Sequence, residues 1–487
     1  MKVIIGIDVG TSGVKVLAVD ENCKVVSSNV TEYPIYTPNP GWTEQIPSDW
    51  WKAICAGLNK LVLELSEYEI CGIGLSGQMH GMVALDSDCN VVRPAILWND
   101  QRTKSQCDKI IELAGGVESL ASYTNNNMLT GFTAGKILWM KENEPENYKK
   151  TVKVINPKDY IAYMLTGSIG TDVSDASGTG FYDVKNNRFS QELIRLCGID
   201  PSLFAEPHAS SDVIGAVTEA AAKQTALPLG TPVCAGGGDA VLSTIAMGAG
   251  SENTAAVMLG TSGVVSAHTT KFMDNKDGAV QFSRACADGM YHVMGVTLAA
   301  AGSYKWYGEN FGGGDFKEMD KEAETSSAGA RGVIYLPYLY GERCPVNDPY
   351  AKGCFVGITA RNTKADFNRA VLEGVAFSLR QVYEKISGGK AAERMILAGG
   401  GSKSPLWRQI FADVFNMPVV TLDGAGEGSG FGAAIVAGVG CGLFGSVAEI
   451  SERLNIKSVT EPIGENVSVY DDVYEKYCGL YARLKGI

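Results

Sequence analysis

Two copies of one short sequence are the first candidates for chemistry. The pentapeptide Gly-Thr-Ser-Gly-Val occurs at 10–14 and again, unchanged, at 260–264. Each copy follows an apolar run typical of a buried strand, at 3–7 and at 255–259. A strand that ends in a turn of glycine and hydroxyl residues directs several backbone N–H groups to one point, which suits phosphate oxygens. The candidate phosphate-binding residues are Gly10, Thr11, Ser12 and Gly13 in the first loop, and Gly260, Thr261 and Ser262 in the second.

The two loops differ at the position two residues before them. Asp8 precedes Gly10, whereas Met258 precedes Gly260. A carboxylate at the end of a buried strand is costly unless it has a partner, and Mg²⁺ beside phosphates is a suitable one. The alternative is an acidic cap on the following turn. Lys15 lies just beyond the first loop and either meets a phosphate or is a solvated strand residue. Two loops and one acid predict an ATP site between two related domains.

A second carboxylate is Asp239, which follows the glycines at 236–238 and the apolar residues at 232–234. The glycines allow another group to approach the backbone closely before a single carboxylate is presented. A general base needs hydrogen-bond reach of the hydroxyl that it deprotonates. We interpret Asp239 as that base, against the alternative of an ordinary Gly-Asp turn.

A polar turn, Ser-Gly-Gln-Met-His-Gly, is predicted between two strands at 76–81. Gln78 and His80 lie close together and are not on a helical stripe, so their side chains suit hydrogen bonds to a polyhydroxyl ligand. The alternative is that His80 is a turn residue with a local partner. Metal binding is disfavoured here, because no second histidine lies nearby in the sequence.

A glycine run follows a predicted strand and precedes a predicted helix. Such a run suits a nucleotide that lies over a helix N-terminus. The candidate nucleotide-binding residues are Gly399, Gly400, Gly401 and Ser402. The later glycine-rich segment at 426–430 is interpreted as close helix packing instead.

Strands alternate with helices along the chain, which predicts an α/β protein. Strands are expected at 4–8, 14–19, 24–30, 69–75, 82–85, 332–336, 394–397 and 419–422. Helices are expected at 47–65 with Ser48 as the N-cap, at 133–141, 157–165, 363–386 and 405–415, and after Glu427. Small residues at 247–251 mark the predicted boundary between an N-terminal domain of residues 1–246 and a C-terminal domain of residues 247–487.

Composition disfavours several classes of protein. The 487 residues exceed the usual size of one domain, and 45% hydrophobic with 20% charged residues is ordinary for a globular protein with a large core. A net charge of −12 argues against nucleic acid or an anionic membrane as a partner. The 12 cysteines form no C-x-x-C pair, so reduced thiols and no zinc site are expected. Neither a signal peptide nor a membrane span is predicted, which favours a cytoplasmic protein.

These motifs together resemble the FGGY family of carbohydrate kinases, within the actin-like ATPase superfamily. The similarity runs nearly from end to end, from Ile-Gly-Ile-Asp at 5–8 to Phe-Gly-Ala-Ala at 431–434. The segment at 131–139 is similar to the first sequence pattern of the family, and the segments at 353–358 and 369–374 to the second. The segments at 77–81, 97–100, 157–160 and 174–179 resemble its xylulokinase branch in particular.

The resemblance implies a two-domain, actin-like (ribonuclease H-like) fold with the active site in the cleft between the domains. It implies that Asp8 holds Mg²⁺, directly or through water, and that Asp239 is the catalytic base. Met79 and His80 would contact the sugar, both loops would hold phosphates, and residues 398–402 would meet the adenosine. A homodimer is expected on the same ground. Ala240 departs from the pattern, because the xylulokinase branch usually has a sugar-binding asparagine there.

The expected reaction is transfer of the γ-phosphoryl group of ATP to a ketopentose, with the 5-hydroxyl of D-xylulose as the acceptor. One alternative is a kinase of the same family that acts on ribulose, a deoxyketose or a polyol, which Ala240 supports. The other is an actin-like ATP-driven switch that binds a protein and phosphorylates no sugar.

Overall fold

The structure is a computed structural model and describes residues 1–389, 391–423 and 426–486. Its strands, in chain order, are β1 (Lys2–Val9), β2 (Gly13–Asp20), β3 (Val25–Glu32), β4 (Glu44–Gln45), β5 (Glu69–Gly77), β6 (Val83–Leu85), β7 (Ala95–Ile96), β8 (Lys153–Ile155), β9 (Thr171–Asp172), β10 (Tyr182–Asp183), β11 (Arg188–Phe189), β12 (Pro207–His208), β13 (Val213–Ala216), β14 (Pro232–Cys234), β15 (Gly237–Gly238), β16 (Thr254–Leu259), β17 (Gly263–Thr269), β18 (Gln281–Arg284), β19 (Tyr291–Thr297), β20 (Ile334–Leu336), β21 (Cys354–Val356), β22 (Arg394–Ala398), β23 (Val419–Leu422) and β24 (Ile456–Thr460).

The α-helices are α1 (Pro47–Glu64), α2 (Lys104–Leu113), α3 (Val117–Thr124), α4 (Thr133–Asn143), α5 (Pro145–Lys150), α6 (Pro157–Thr166), α7 (Val173–Ser177), α8 (Gln191–Leu196), α9 (Glu219–Thr225), α10 (Asp239–Ala246), α11 (Ala301–Tyr307), α12 (Phe316–Glu324), α13 (Lys364–Ile386), α14 (Pro405–Phe415), α15 (Ser429–Gly440), α16 (Val447–Arg453) and α17 (Gly464–Leu484).

The described residues form two seven-stranded sheets, one from each half of the chain. In both sheets the strands are arranged in the same way around the central strand. The first sheet has the order β13-β14-β5-β1-β2-β3, with β15 paired to β5, and the second has the order β18-β19-β17-β16-β22-β23-β24. The central strands β1 and β16 each run antiparallel to the next strand in the chain and parallel to a later one. The predicted two-domain α/β fold class is therefore confirmed, with one sheet plan used twice.

Strand β1 is the buried centre of the first sheet. Residues 3–5 and Ile7 have no exposed surface, as expected for an apolar run that is covered on both faces of a sheet. Helix α1 packs on β2 and β3, and helix α15 packs on β1 and β5. The neighbouring side chains Val16 and Leu17 of β2 meet α1 and α15 respectively. Since successive strand residues point to opposite faces, these two helices cover the two sides of the sheet.

Helix α15 belongs to the second half of the chain, yet its backbone rests directly on the first sheet. A Cβ at Gly6 would overlap the carbonyl oxygen of Gly430, and a Cβ at Gly74 would overlap that of Ala433. Glycine in both strands is what allows this close approach. The close helix packing predicted for the segment at 426–430 is confirmed at Gly430.

The predicted elements differ from the observed ones mainly at their ends. Helix α1 occupies the expected segment, but Ser48 is not its N-cap, and that prediction was wrong. Ile46 is the N-cap and Pro47 opens the helix, a position where the missing N–H and the fixed φ of proline are favourable. Helix α13 begins at Lys364, because Thr363 and Asp366 form a capping box in front of it.

The predicted boundary segment at 247–251 follows α10 and leads into β16. The division into residues 1–246 and 247–487 stays a prediction, since α15 is shared with the first sheet. None of the helices within the described ranges has the length and apolar character needed to cross a membrane.

Candidate active site

The two phosphate-loop candidates occupy equivalent turns, between β1 and β2 and between β16 and β17. In the first loop the N–H of Gly10 donates to the carbonyl of Gly13 at 3.1 Å, and in the second the N–H of Gly260 donates to the carbonyl of Ser262 at 3.1 Å. Within the described ranges, several other N–H groups of these loops have no acceptor, namely those of Thr11, Ser12, Thr261 and Ser262. Such free donors on a tight turn are able to receive an anion.

Asp8 lies at the end of β1, just before the first loop. Its Oδ1 is buried and has no hydrogen-bond partner among the described residues. Burial raises the pKa of this carboxyl, against the lowering influence of the Ser429 and Ser76 hydroxyls and the charge of Lys15. A buried carboxylate oxygen without a partner is a costly arrangement that a bound cation would relieve.

The side chain of Lys15, just beyond the first loop, has an ionic partner. Its Nζ forms an ion pair with Glu427 at 2.6 Å and also donates to the carbonyl of Glu427 at 2.9 Å. The alternative of a solvated strand residue was therefore wrong, and the contact of Lys15 with a phosphate stays a prediction. Because Glu427 lies two residues before the start of α15, this ion pair joins the first loop to the second half of the chain.

Asp239 is the first residue of α10 and follows the short strand β15. A Cβ at Gly238 would lie 2.6 Å from the Cγ of Met79, so glycine there lets α10 begin close to the end of β5. Oδ1 of Asp239 accepts the N–H of Ala240 at 2.7 Å. Burial raises the pKa of Asp239 to about 7, and the negative charge of Asp8 adds to that shift. The structure therefore brings the two predicted carboxylates into electrostatic contact.

A buried charge cluster, which sequence reasoning missed, lies behind Asp239. Nζ of Lys158 contacts three carboxylates, at 2.6 Å for Asp159, 3.0 Å for Asp172 and 3.5 Å for Asp175. Burial, together with the neighbouring carboxylates, raises the pKa of Asp175 well above its usual range. Oγ of Ser174 accepts the N–H of Gly238 at 3.0 Å. The cluster thus supports the backbone that carries Asp239.

His80 presents one ring nitrogen to the cleft. Its Nδ1 lies 2.7 Å from the carbonyl of Gly178, and a carbonyl only accepts, so Nδ1 carries the proton. Burial, with the nearby charge of Lys136, lowers the pKa of His80 to about 3. The neutral ring therefore keeps Nε2 as a hydrogen-bond acceptor. Both interpretations of His80 are therefore compatible. Its Nδ1 has a partner in the carbonyl of Gly178, while its Nε2 is left as an acceptor for a ligand hydroxyl.

Gln78 faces away from His80. Its Nε2 donates to Oε1 of Gln45 at 2.9 Å, and its Oε1 accepts the hydroxyl of Thr11 at 3.4 Å. Trp98, half-exposed, also donates to that hydroxyl, at 3.0 Å. The structure places Gln78 as a support of the first loop, and it is not among the residues around the His80 cavity.

The His80 cavity lies between the two halves of the chain and has a free volume of about 20 Å³. That space has room for about one water molecule or one group of similar size, such as a hydroxyl. First-half residues form one wall and strands β18 and β19 the other. Its lining includes Met79, His80, Gly178, Ala240, Gln281, Ser283 and His292.

A larger cavity of about 580 Å³ adjoins the second loop and the glycine run. Its size is in the usual range for small-molecule sites, roughly 300–1,000 Å³. Gly260, Thr261, Gly400 and Gly401 line it, together with aromatic residues that sequence reasoning did not assign to a site, Tyr304 and Phe316. Trp407 is buried and also lines this cavity. Ser402 turns its hydroxyl to the carbonyl of Gly399 at 2.7 Å and is not a lining residue.

Comparisons with known proteins identify the family of the chain. The model of the N-terminal domain of the FGGY family of carbohydrate kinases matches residues 3–246, and the model of its C-terminal domain matches residues 255–441. The xylulose kinase of Lactococcus lactis is 39% identical, with 100% of this chain and 98% of that protein covered. Among solved structures, ligand-bound xylulose kinase from Lactobacillus acidophilus has a TM-score of 0.92 at 28% identity, with 100% of this chain and 99% of that chain covered. Gluconate kinase from the same species has a TM-score of 0.91 at 28% identity, with 100% and 98% covered. The two family models span most of the chain, which therefore belongs to the FGGY family of carbohydrate kinases.

Proposed function

We propose that this kinase transfers the γ-phosphoryl group of ATP to the 5-hydroxyl of D-xylulose. The observation that carries the proposal is the pair Asp8 and Asp239, set beside the first loop with the pKa of Asp239 at about 7. The similarity to proteins named xylulose kinase supports the choice of sugar.

Asp239 is the proposed base. A carboxylate with a pKa near the working pH is well matched to accept the proton of the attacking hydroxyl. Met79, whose backbone lies near the Asp239 carboxyl, and His80 are the proposed sugar contacts, with Nε2 of His80 accepting a sugar hydroxyl. Gln78 is proposed to act through the first loop, because it bonds to Thr11.

The proposed role of the two loops is to hold phosphate oxygens. Phosphoryl transfer proceeds through a loose transition state whose charge spreads over the phosphoryl oxygens. The free N–H groups of Thr11, Ser12, Thr261 and Ser262 are placed to receive that charge without reorganisation. The adenosine is proposed to lie in the larger cavity, against the glycine run at 399–401 and the ring of Phe316.

Asp8 is the proposed holder of Mg²⁺. Within the described residues no group of three or more His, Cys, Asp or Glu side chains could hold a metal ion. A magnesium ion that assists phosphate transfer usually takes one or two carboxylates and completes its shell with phosphates and water. The unpartnered Oδ1 of Asp8 fits that requirement. When bound, Mg²⁺ supplies positive charge beside the phosphates.

We also propose the cytoplasm as the place of action. All 12 cysteines are unpaired in the structure, which suits a reducing compartment that supplies ATP.

The deciding experiment measures ADP release with Mg·ATP and a panel of ketopentoses, deoxyketoses, polyols and gluconate. We expect sugar-dependent ADP release with the highest kcat/KM for D-xylulose. Another sugar with a higher kcat/KM would reassign the acceptor and leave the kinase reaction in place. ADP release that no sugar increases would contradict the proposal and favour an ATP-driven switch.

A further inference from the structure

Strand β18 forms the wall of the His80 cavity that faces Ala240. Gln281 and Ser283 lie two residues apart on this strand, so their side chains point to the same side. Both line the cavity together with Ala240, and β18 pairs with β19 through Gln281 opposite Met294 and Ser283 opposite His292. A side chain at 281 and one at 240 therefore approach the same small space from two sides.

The backbone of β18 is tied to the first half of the chain at two residues that follow Gln281. Phe282 donates its N–H to Oδ1 of Asn126 at 2.9 Å and accepts Nδ2 of Asn126 at 2.7 Å. Arg284 donates its N–H to Oγ of Ser177 at 3.0 Å. Asn126 and Ser177 also line the cavity. These bonds fix the position of the β18 backbone, which carries the side chain of Gln281, relative to His80 and Ala240.

Three of the polar side chains around Gln281 already have partners. Asn126 bonds to Phe282 as described, Nε2 of His292 lies 3.0 Å from the hydroxyl of Thr244, and Ser177 donates to the carbonyl of Val173 at 2.7 Å. Gln281 is half-buried, and within the described ranges its side-chain amide has no hydrogen-bond partner. An amide offers two donors and an acceptor, and leaving them unused in a partly buried site is unfavourable.

We propose that Gln281 is a specificity-determining residue whose side-chain amide hydrogen-bonds an oxygen of the sugar in the space beside Ala240. This inference rests on the proposed sugar-kinase function. Alanine at 240 brings no polar atom to that space from the other side, so Gln281 supplies the amide there. A sugar with an oxygen at this point gains the bond, and a deoxy analogue without it does not.

The test compares the wild type with Gln281→Met, which keeps an unbranched side chain of similar length but removes the amide. Steady-state kinetics use the preferred sugar and analogues that each lack one hydroxyl. Sugar binding without ATP is followed by tryptophan fluorescence. We expect KM and Kd for the preferred sugar to rise about tenfold while kcat changes less than about threefold, as for a uniform binding interaction. The contacted oxygen is identified by a deoxy analogue that Gln281→Met binds no worse than the parent sugar.

The matched control is Gln191→Met, at an exposed glutamine that opens α8, and it should keep wild-type values. Unchanged Kd for ATP in both variants shows that the fold is intact. Wild-type KM, Kd and deoxy discrimination in Gln281→Met would overturn the inference, as would a fall in kcat alone. If the wild type binds and phosphorylates a sugar, the proposed function survives that result. A wild type that neither binds nor phosphorylates any sugar of the panel overturns both.

Discussion

At the scale of single residues, the charge of Asp8 influences Asp239. Burial and the charge of Asp8 both raise the pKa of Asp239 to about 7. A base must be unprotonated to act, so activity is lost as the pH falls below that pKa. We expect kcat/KM for the sugar to be level above pH 7 and to fall tenfold for each pH unit below it. Measured pH–rate profiles check this. A kcat/KM that does not vary between pH 5 and 8 would exclude Asp239 as the proton acceptor.

Removing the carboxylate of Asp239 tests the same role directly. The variant Asp239→Asn keeps the shape of the side chain but has no basic oxygen, so we expect kcat to fall by roughly 10³-fold. The Kd for ATP should stay unchanged, because the proposed phosphate and adenosine contacts lie elsewhere. Calorimetric ATP titration and ADP release give the two readouts. Asp88→Asn, in an exposed turn after β6, is the control. A kcat within tenfold of the wild type would rule out the proposed base.

The contact between α15 and β1 is the decisive feature at the scale of elements. It places the start of α15 beside Asp8, where a Cβ at Gly430 would lie 3.4 Å from the Cβ of Asp8. It also sets the Lys15–Glu427 ion pair beside the first loop. The site therefore depends on a strand–helix contact that has no room for a side chain.

Gly6→Ala is the variant that tests this contact. Its methyl group would overlap the Gly430 carbonyl, so α15 must shift. We expect the free energy of unfolding to fall by about 3 kcal/mol, as for overpacking of a rigid core. Gly479→Ala is the matched control, since its Cβ meets nothing closer than 4.0 Å, at Nε of Arg483. The free energy of unfolding of Gly479→Ala should rise by about 0.5–1 kcal/mol, because alanine has a higher helix propensity than glycine. Calorimetric unfolding midpoints compare the two, and equal midpoints would contradict the packing argument.

Two buried histidines link the halves at the scale of the whole molecule. Nδ1 of His268 in β17 lies 2.6 Å from the carbonyl of Ala249, in the segment that connects the halves. His292 in β19 contacts Thr244 of α10. Burial lowers the pKa of His268 to about 4, and burial with the charge of His268 lowers that of His292 well below its usual value.

A histidine whose pKa is lowered by folding stabilises the protein above its unfolded pKa of 6.5. That contribution is lost as the pH falls from 6.5 towards 4, and for His268 it amounts to about 3 kcal/mol. We expect the unfolding midpoint of the wild type to fall as the pH decreases over this range. The slope should be shallower in His268→Asn, because asparagine cannot gain the proton. His208→Asn, at a half-exposed histidine, should keep the wild-type slope. Identical slopes in all three proteins would exclude His268 as the source.

The sequence by itself determined the features that depend on neighbouring residues. Glycine and hydroxyl residues after an apolar run predicted both loops, and a carboxylate at the end of such a run singled out Asp8. The alternation of strands and helices predicted the α/β fold, because side-chain periodicity is a local property of the chain. Among the predicted elements, the ends were misjudged, as at Ser48, where the preference of proline for the first helical position prevailed.

The tertiary structure alone decided which distant groups meet. Lys15 faces Glu427, 412 positions away, Gln78 turns to Gln45, and Gln281 shares a cavity with Ala240. Lys158 of α6 likewise meets Asp172 of β9 and Asp175 of α7. Such contacts follow from how sheets and helices pack against each other, and no pattern within one segment specifies the partner. The acids and loops of the candidate site could therefore be predicted from the sequence. The charges that surround these acids, and the residues that line the proposed sugar site, are decided by how the two halves pack.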